Sequence, residues 1–260
     1  MRLMSSDHNP KPVSADAYDR SYYLDSMEGA DEFARSGGQQ LSYRLEYALN
    51  LAKILPGERV LDIGCGRGEV AWNCAERGAK AHGMDYSSAA MNIARQLMEH
   101  ARGNNLNLSL EQGSATQLPF SSGSFDKVFM LDIVEHLYQA DLARTFLEVH
   151  RILKPGGKLV IHTMPNADYY RWGYPVYRLA MGLIGKKLPR DPRERWYRGE
   201  THVNIQNPRR LKRALVESGF SPVKVWIDSL NGQSLQRILL SFGPWRWVLL
   251  NDILGIAVKI

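Results

Sequence analysis

Apolar positions along the chain follow two periods in turn. From Leu41 to Leu55 they fall at Leu41, Leu45, Ala48, Leu49 and Ala52, the spacing of one helix face. Pro56-Gly57 stops that helix, and Arg59-Val60-Leu61-Asp62-Ile63 follows as a strand apolar enough to be buried on both sides. Helix and strand then alternate. A helix over Glu69 to Arg77, a strand over Lys80 to Met84 and a helix capped by Ser87 are followed by strands over Leu106 to Leu110 and Lys127 to Leu131. Leu142, Phe146, Val149 and Leu153 mark the next helix, which Pro155-Gly156-Gly157 should end before a strand over Lys158 to Thr163. This order predicts an α/β domain built on a doubly wound, parallel sheet. The alternation breaks over about 164–206. It resumes with a helix opening at Asn207-Pro208, a sixth strand over Pro222 to Ile227 and a seventh over Ile253 to Ile260. Residues 1–38 are polar, rich in Asp, Ser and Tyr, and read as an N-terminal arm ahead of a domain over 39–260.

Composition changes little. A chain of 260 residues with 44% hydrophobic and 23% charged residues is an ordinary globular protein, long enough to bury its own core. Its two cysteines, Cys65 and Cys74, lie in one short stretch and suggest no disulfide framework, so a reducing cytoplasm is the expected compartment. The opening residues lack the apolar run of a secretory leader, and no run reaches the roughly 18 apolar residues of a membrane span.

The chemistry concentrates after the first strand, in Asp62-Ile63-Gly64-Cys65-Gly66-Arg67-Gly68. Glycines at alternate positions let the backbone turn and approach a ligand closely, and the helix start behind them offers unpaired N–H groups. Asp85 ends the second strand, where a carboxylate can accept both ribose hydroxyls of a nucleotide-type cofactor. Dinucleotide sites use G-x-G-x-x-G to rest a pyrophosphate on the helix start. Here the spacing is G-x-G-x-G, with Asp62 two residues before it; that carboxylate would repel a pyrophosphate and suit an ammonium and a sulfonium.

Val60 to Gly68 resembles motif I of the class I S-adenosylmethionine-dependent methyltransferases. Gly83-Met84-Asp85-Tyr86-Ser87 resembles their ribose-binding turn. Gly113-Ser114-Ala115 with Leu118-Pro119-Phe120 resembles their adenine loop, and Leu131 to His136 their active-site loop. Leu153 to Leu159 resembles the turn before their fifth strand. The resemblance covers roughly 58–165. It implies a Rossmann-like, seven-stranded, mostly parallel sheet with helices on both faces, and S-adenosyl-L-methionine as cofactor. It further implies that Asp62 and the loop glycines Gly64, Gly66 and Gly68 hold the methionine portion, with Cys65 and Asp132 also among the cofactor-binding residues. Asp85 would take the ribose, Tyr86 would lie against the adenine, and Ser114 and Ala115 would meet its edge. Ser114 stands where the family often has Asp. The arm would fold over the bound cofactor, with Tyr22 and Tyr23 as its covering residues.

Methyl transfer from a sulfonium asks for alignment and dryness, and an oxygen acceptor of high pKa also asks for a base. His136 is the expected base, with Glu135 beside it as a second catalytic candidate. Asp132, Glu135 and His136 also resemble a cation-binding trio of some quinone-pathway O-methyltransferases; no metal is expected here. The 164–206 segment crowds Tyr169, Tyr170, Trp172, Trp196 and Tyr197 among arginines, and with His202 it is the expected acceptor side. A second apolar stretch, Leu235 to Leu250, is too short to span a bilayer; it could complete the core, line an acceptor tunnel or rest on a membrane surface. The favoured function is methylation of a hydroxyl on a small-molecule, saccharide or lipid-linked acceptor. Carbon or nitrogen methylation of a small metabolite, or an inactive cofactor-binding partner, are the alternatives. Nucleic acid is disfavoured, since no Asn/Asp-Pro-Pro-Tyr loop follows the fourth strand.

Overall fold

The computed structural model describes residues 13–195, 201–230 and 250–260. Its strands are β1 (Arg59–Ile63), β2 (Lys80–Asp85), β3 (Leu108–Gln112), β4 (Phe125–Leu131), β5 (Leu153–Thr163), β6 (Phe220–Asp228) and β7 (Asp252–Lys259). They form one seven-stranded sheet in the order β3-β2-β1-β4-β5-β7-β6. The first five strands pair in parallel, and β7 runs antiparallel to both β5 and β6. The helices are α1 (Ala30–Ser36), α2 (Tyr43–Ala52), α3 (Glu69–Glu76), α4 (Ser88–Gly103), α5 (Gln139–Ile152), α6 (Tyr174–Leu183) and α7 (Pro208–Glu217).

Strand periodicity distributes the core to both faces of the sheet. Leu61, Ile63, Val128 and Met130 pack with Leu142, Phe146 and Val149 of α5 on one side. Val60, Phe129, Leu131 and Val160 pack with α2 and α3 on the other. No helix among the described residues is long and apolar enough to cross a membrane.

Helix starts follow the residues that favour them. Ser87 Oγ accepts from the Ala90 N–H at 3.4 Å, and Asn207 Oδ1 accepts from the Arg210 N–H at 2.9 Å with Pro208 opening the helix. Two boundaries differ from expectation. Helix α5 ends at Ile152, so Leu153 opens β5, and Pro155-Gly156-Gly157 falls inside the strand rather than before it. Strand β3 begins at Leu108, not Leu106; alternating leucines fit either window, and pairing of Leu108 with Ala81 selects the later one. The stretch over 235–249 lies outside the described residues, as do Trp196 and Tyr197. Leu250 is described and buried.

Strand order reverses between β1 and β4. In open α/β sheets, the crevice beyond the carboxyl ends at that reversal is where ligands bind.

Candidate active site

A cavity of about 640 Å³ occupies that crevice, lined by residues at the ends of β1, β2 and β4 and by Met164 just past β5. Its tightest wall is the Gly-rich loop. Gly64 and Gly66 have φ of +73° and +51°, which side-chain-bearing residues rarely adopt. A Cβ on Gly64 would come within 2.9 Å of Ile133, and one on Gly66 within 3.0 Å of Met27. The loop is thus wedged between the active-site turn and the arm.

Asp85 braces the loop. Its Oδ2 accepts from the Gly66 N–H at 3.0 Å and its Oδ1 from the Ser87 N–H at 2.8 Å. Burial raises its pKa, while those N–H groups act to lower it. Among the described residues that line the cavity, acidic side chains outnumber Lys and Arg eight to one, Arg44 being the one. Four come from the arm (Asp25, Glu28, Asp31, Glu32) and four from the sheet side (Asp85, Asp132, Glu135, Asp141). Such a lining disfavours an anionic ligand and suits a cationic one.

The arm closes the cavity from above. Tyr18, Tyr22 and Tyr23 all line it, with the Tyr18 and Tyr22 rings edge to face at 5.1 Å. Arg67, fully buried, fastens the arm to the loop. Its guanidinium donates to the carbonyls of Tyr23 (3.0 Å) and Glu28, lies 4.8 Å over the Phe33 ring and pairs with Glu69 at 2.7 Å.

His136 sits under the arm. Burial and neighbouring His202 lower its pKa to about 4, so the ring is neutral at physiological pH. Nδ1 lies 3.2 Å from the Thr201 carbonyl and 2.9 Å from the Tyr18 hydroxyl. A carbonyl only accepts, so it favours the Nδ1–H tautomer and leaves Nε2 as the basic nitrogen. Burial pushes the Tyr18 hydroxyl up to about 12, so it keeps its proton. Glu135 is buried, accepts from the Thr163 hydroxyl at 2.7 Å, and is raised to about 8 by burial and by the charge of Asp132.

His162, on β5, shows the opposite behaviour. Burial works against its charge, but Asp132 at 2.6 Å and Asp252 at 3.1 Å outweigh it and raise the pKa to about 9. Asp132 also meets Arg44 at 3.0 Å, and Arg44 meets Glu28 of the arm at 3.2 Å. Burial alone would raise the Asp132 pKa; Arg44 and His162 together hold it well below the ordinary carboxylate range. Asp132 has φ of +55°, a left-handed conformation that aspartate tolerates better than most residues.

Of the residues singled out from sequence, Gly64, Gly66, Asp85, Tyr86, Ser114, Ala115, Asp132, Glu135, His136 and His202 all line the cavity. Asp62, Cys65 and Gly68 are not among the lining residues. Asp62 is buried behind the loop, its pKa raised to about 8 by burial and by the charges of Asp85 and Glu69. The Cys65 thiol packs toward Gly83, and burial pushes its pKa far up, which leaves it inert. Gly68 starts α3, and a Cβ there would come within 3.2 Å of Ala94, so its smallness serves helix packing. Tyr169, Tyr170 and Trp172 do not line the cavity either: Tyr169 and Tyr170 pack on each other and on Tyr174, and Trp172 is 56% exposed. Asp132 does not join Glu135 and His136 as a trio. The ligand-type atoms that gather within 4.8 Å are those of Glu135, His136 and His202. Tyr18, Arg44 and the clamping role of Arg67 carried no local signal in the sequence.

A model of the methyltransferase domain matches residues 60–157. Over that span the chain carries a methyltransferase domain. Its relatives include proteins named demethylmenaquinone methyltransferase. That of Symbiobacterium thermophilum is 27% identical and aligns over 81% of this chain and 88% of its own. That of Oceanobacillus iheyensis is 28% identical over 77% and 83%. Among solved structures, Haemonchus contortus phosphoethanolamine N-methyltransferase 2 with bound S-adenosyl-L-methionine superposes with a TM-score of 0.63 at 21% identity, covering 95% of this chain and 60% of that one. The [4+2]-cyclase SpnF superposes with a TM-score of 0.61 at 18% identity, over 96% of this chain and 97% of that one. The likeness to these two structures concerns fold alone. The site fits S-adenosylmethionine as methyl donor, since the acidic lining suits its ammonium and sulfonium.

Proposed function

We propose that this methyltransferase acts on a hydroxyl-bearing small molecule, with His136 as the base. The observation that carries the reading is a neutral, half-buried imidazole on the cavity wall whose Nδ1 faces the Thr201 carbonyl. S-adenosylmethionine, when bound, supplies an activated methyl carbon. Asp85 and the Gly64–Gly66 backbone would hold it, and Tyr22, Tyr23 and Tyr86 would exclude water. Nε2 of His136 takes the acceptor's hydroxyl proton, and Glu135 and His202 orient the acceptor beside it. The same proton removal activates a phenolic oxygen or a neighbouring ring carbon. A quinol-type acceptor, which the demethylmenaquinone methyltransferase relatives favour, is therefore the second reading and needs no change of base. Saccharide and lipid-linked acceptors fit the same chemistry, and the two buried free cysteines suit a cytoplasmic setting.

The test is a panel of phenols, quinols and sugars assayed for S-adenosylhomocysteine release, with wild type beside His136→Ala. Turnover should fall by about 10²–10⁴-fold in the variant with cofactor affinity unchanged. On the acid side, the wild-type rate should hold as pH falls through 6.5 and drop only near 4. A variant that retains full turnover would remove His136 from the chemistry.

A further inference from the structure

The segment between β5 and α7 turns an apolar stripe to solvent. Trp172, Val176, Leu179 and Leu183 recur every three or four residues along α6 and the turn before it, and are 56%, 62%, 69% and 83% exposed. Ile184 extends the stripe at 64%. The helix is held from its other side, where Tyr174 is buried and its hydroxyl donates to the Pro189 carbonyl at 2.8 Å. The Arg195 guanidinium lies over the Tyr174 and Tyr177 rings at 5.7 and 5.4 Å.

Contiguous exposed leucines on one helix face mark an interaction surface. Charge narrows the partner. From Tyr169 to Arg190 there is no acidic residue, while Arg171, Arg178, Lys186, Lys187 and Arg190 are all exposed. Lysine is depleted at protein–protein interfaces, whereas a cationic margin around an apolar stripe matches phosphate headgroups above acyl chains. A helix of ten residues is too short to span a bilayer and suited to lie in its surface. We propose that α6 docks this enzyme on an anionic membrane surface. The stripe enters the headgroup boundary, and Arg171, Lys186, Lys187 and Arg190 meet the phosphates. Both ends of the segment reach the cavity, at Met164 and His202, so docking presents the acceptor side of the site to the bilayer.

The proposal stands on the helix and goes beyond the acceptor reading, so its test uses no acceptor. The full chain is sedimented with sucrose-loaded vesicles of phosphatidylcholine, with and without phosphatidylglycerol. Wild type should pellet with the anionic vesicles, and Leu179→Glu/Leu183→Glu should lower the bound fraction by at least about tenfold. Lys186→Glu/Lys187→Glu should weaken binding and flatten its salt dependence. Titration of S-adenosylhomocysteine into each variant should return the wild-type affinity and so report an intact fold. Wild type that stays in the supernatant, or a leucine variant that pellets like wild type, overturns the proposal. So does light scattering that shows a wild-type oligomer turned monomer by the leucine variant, because the stripe then belongs to a second copy of the chain.

Discussion

The Gly-rich wall and the 164–206 segment meet in one cavity but are built differently. At the wall, Gly64, Gly66 and Asp85 are locked by backbone hydrogen bonds, by the Ile133 and Met27 contacts and by an arm that Arg67 pins down. The 164–206 segment instead leaves the sheet at Met164, packs Tyr169, Tyr170, Tyr174 and Tyr177 on one another and turns Trp172, Leu179 and Leu183 outward. A donor common to a whole family calls for a fixed mould. An acceptor that differs between members calls for a segment that can change without disturbing the sheet.

Four experiments would break or sharpen that contrast. The largest effect is expected from Arg67→Ala, which leaves Glu69 buried without its partner and frees the arm. Unfolding free energy should fall by about 3–5 kcal/mol in denaturant titration, with new proteolytic cuts ahead of residue 38. An unchanged arm would mean that the wall is rigid without its clamp. The next concerns His162, below the wall. Its pKa is raised from 6.5 to about 9, so its contribution to stability is complete below pH 6.5 and is lost as pH rises through 9. Denaturant titrations from pH 6.5 to 10 should show a loss on the order of 3 kcal/mol. That slope should be absent in His162→Asn. Third, Asp85→Ala should weaken S-adenosylhomocysteine binding about tenfold, near 1.4 kcal/mol, by calorimetry. Last, Trp172→Ala should leave both cofactor affinity and melting temperature unchanged, because its ring faces solvent; a clear loss of either would put the segment inside the mould.

What the sequence disclosed follows from how far apart the interacting residues lie. The Gly-rich loop and Asp85 announce themselves through short spacing, and His136 through its place just past a buried strand. Tyr18 meets His136 across 118 positions, and Arg67 reaches Tyr23 across 44. No local pattern encodes such a contact. The aromatic crowding over 164–206 is visible, but composition gives no direction: Tyr169 and Tyr170 face each other and Tyr174, and Trp172 faces solvent. His162 lies within a strand, as its sequence position implied. Its charge came into view only when β4 and β7 placed a carboxylate on each ring nitrogen.

The acidic lining also bears on how a turnover ends. The donor enters with a positive sulfur and leaves as a thioether that has given up that charge with its methyl. A cavity whose described lining is predominantly acidic should therefore grip the spent molecule less firmly than the fresh one. Electrostatics should thus relieve product inhibition, most strongly at low ionic strength, where the field of the acidic lining reaches furthest.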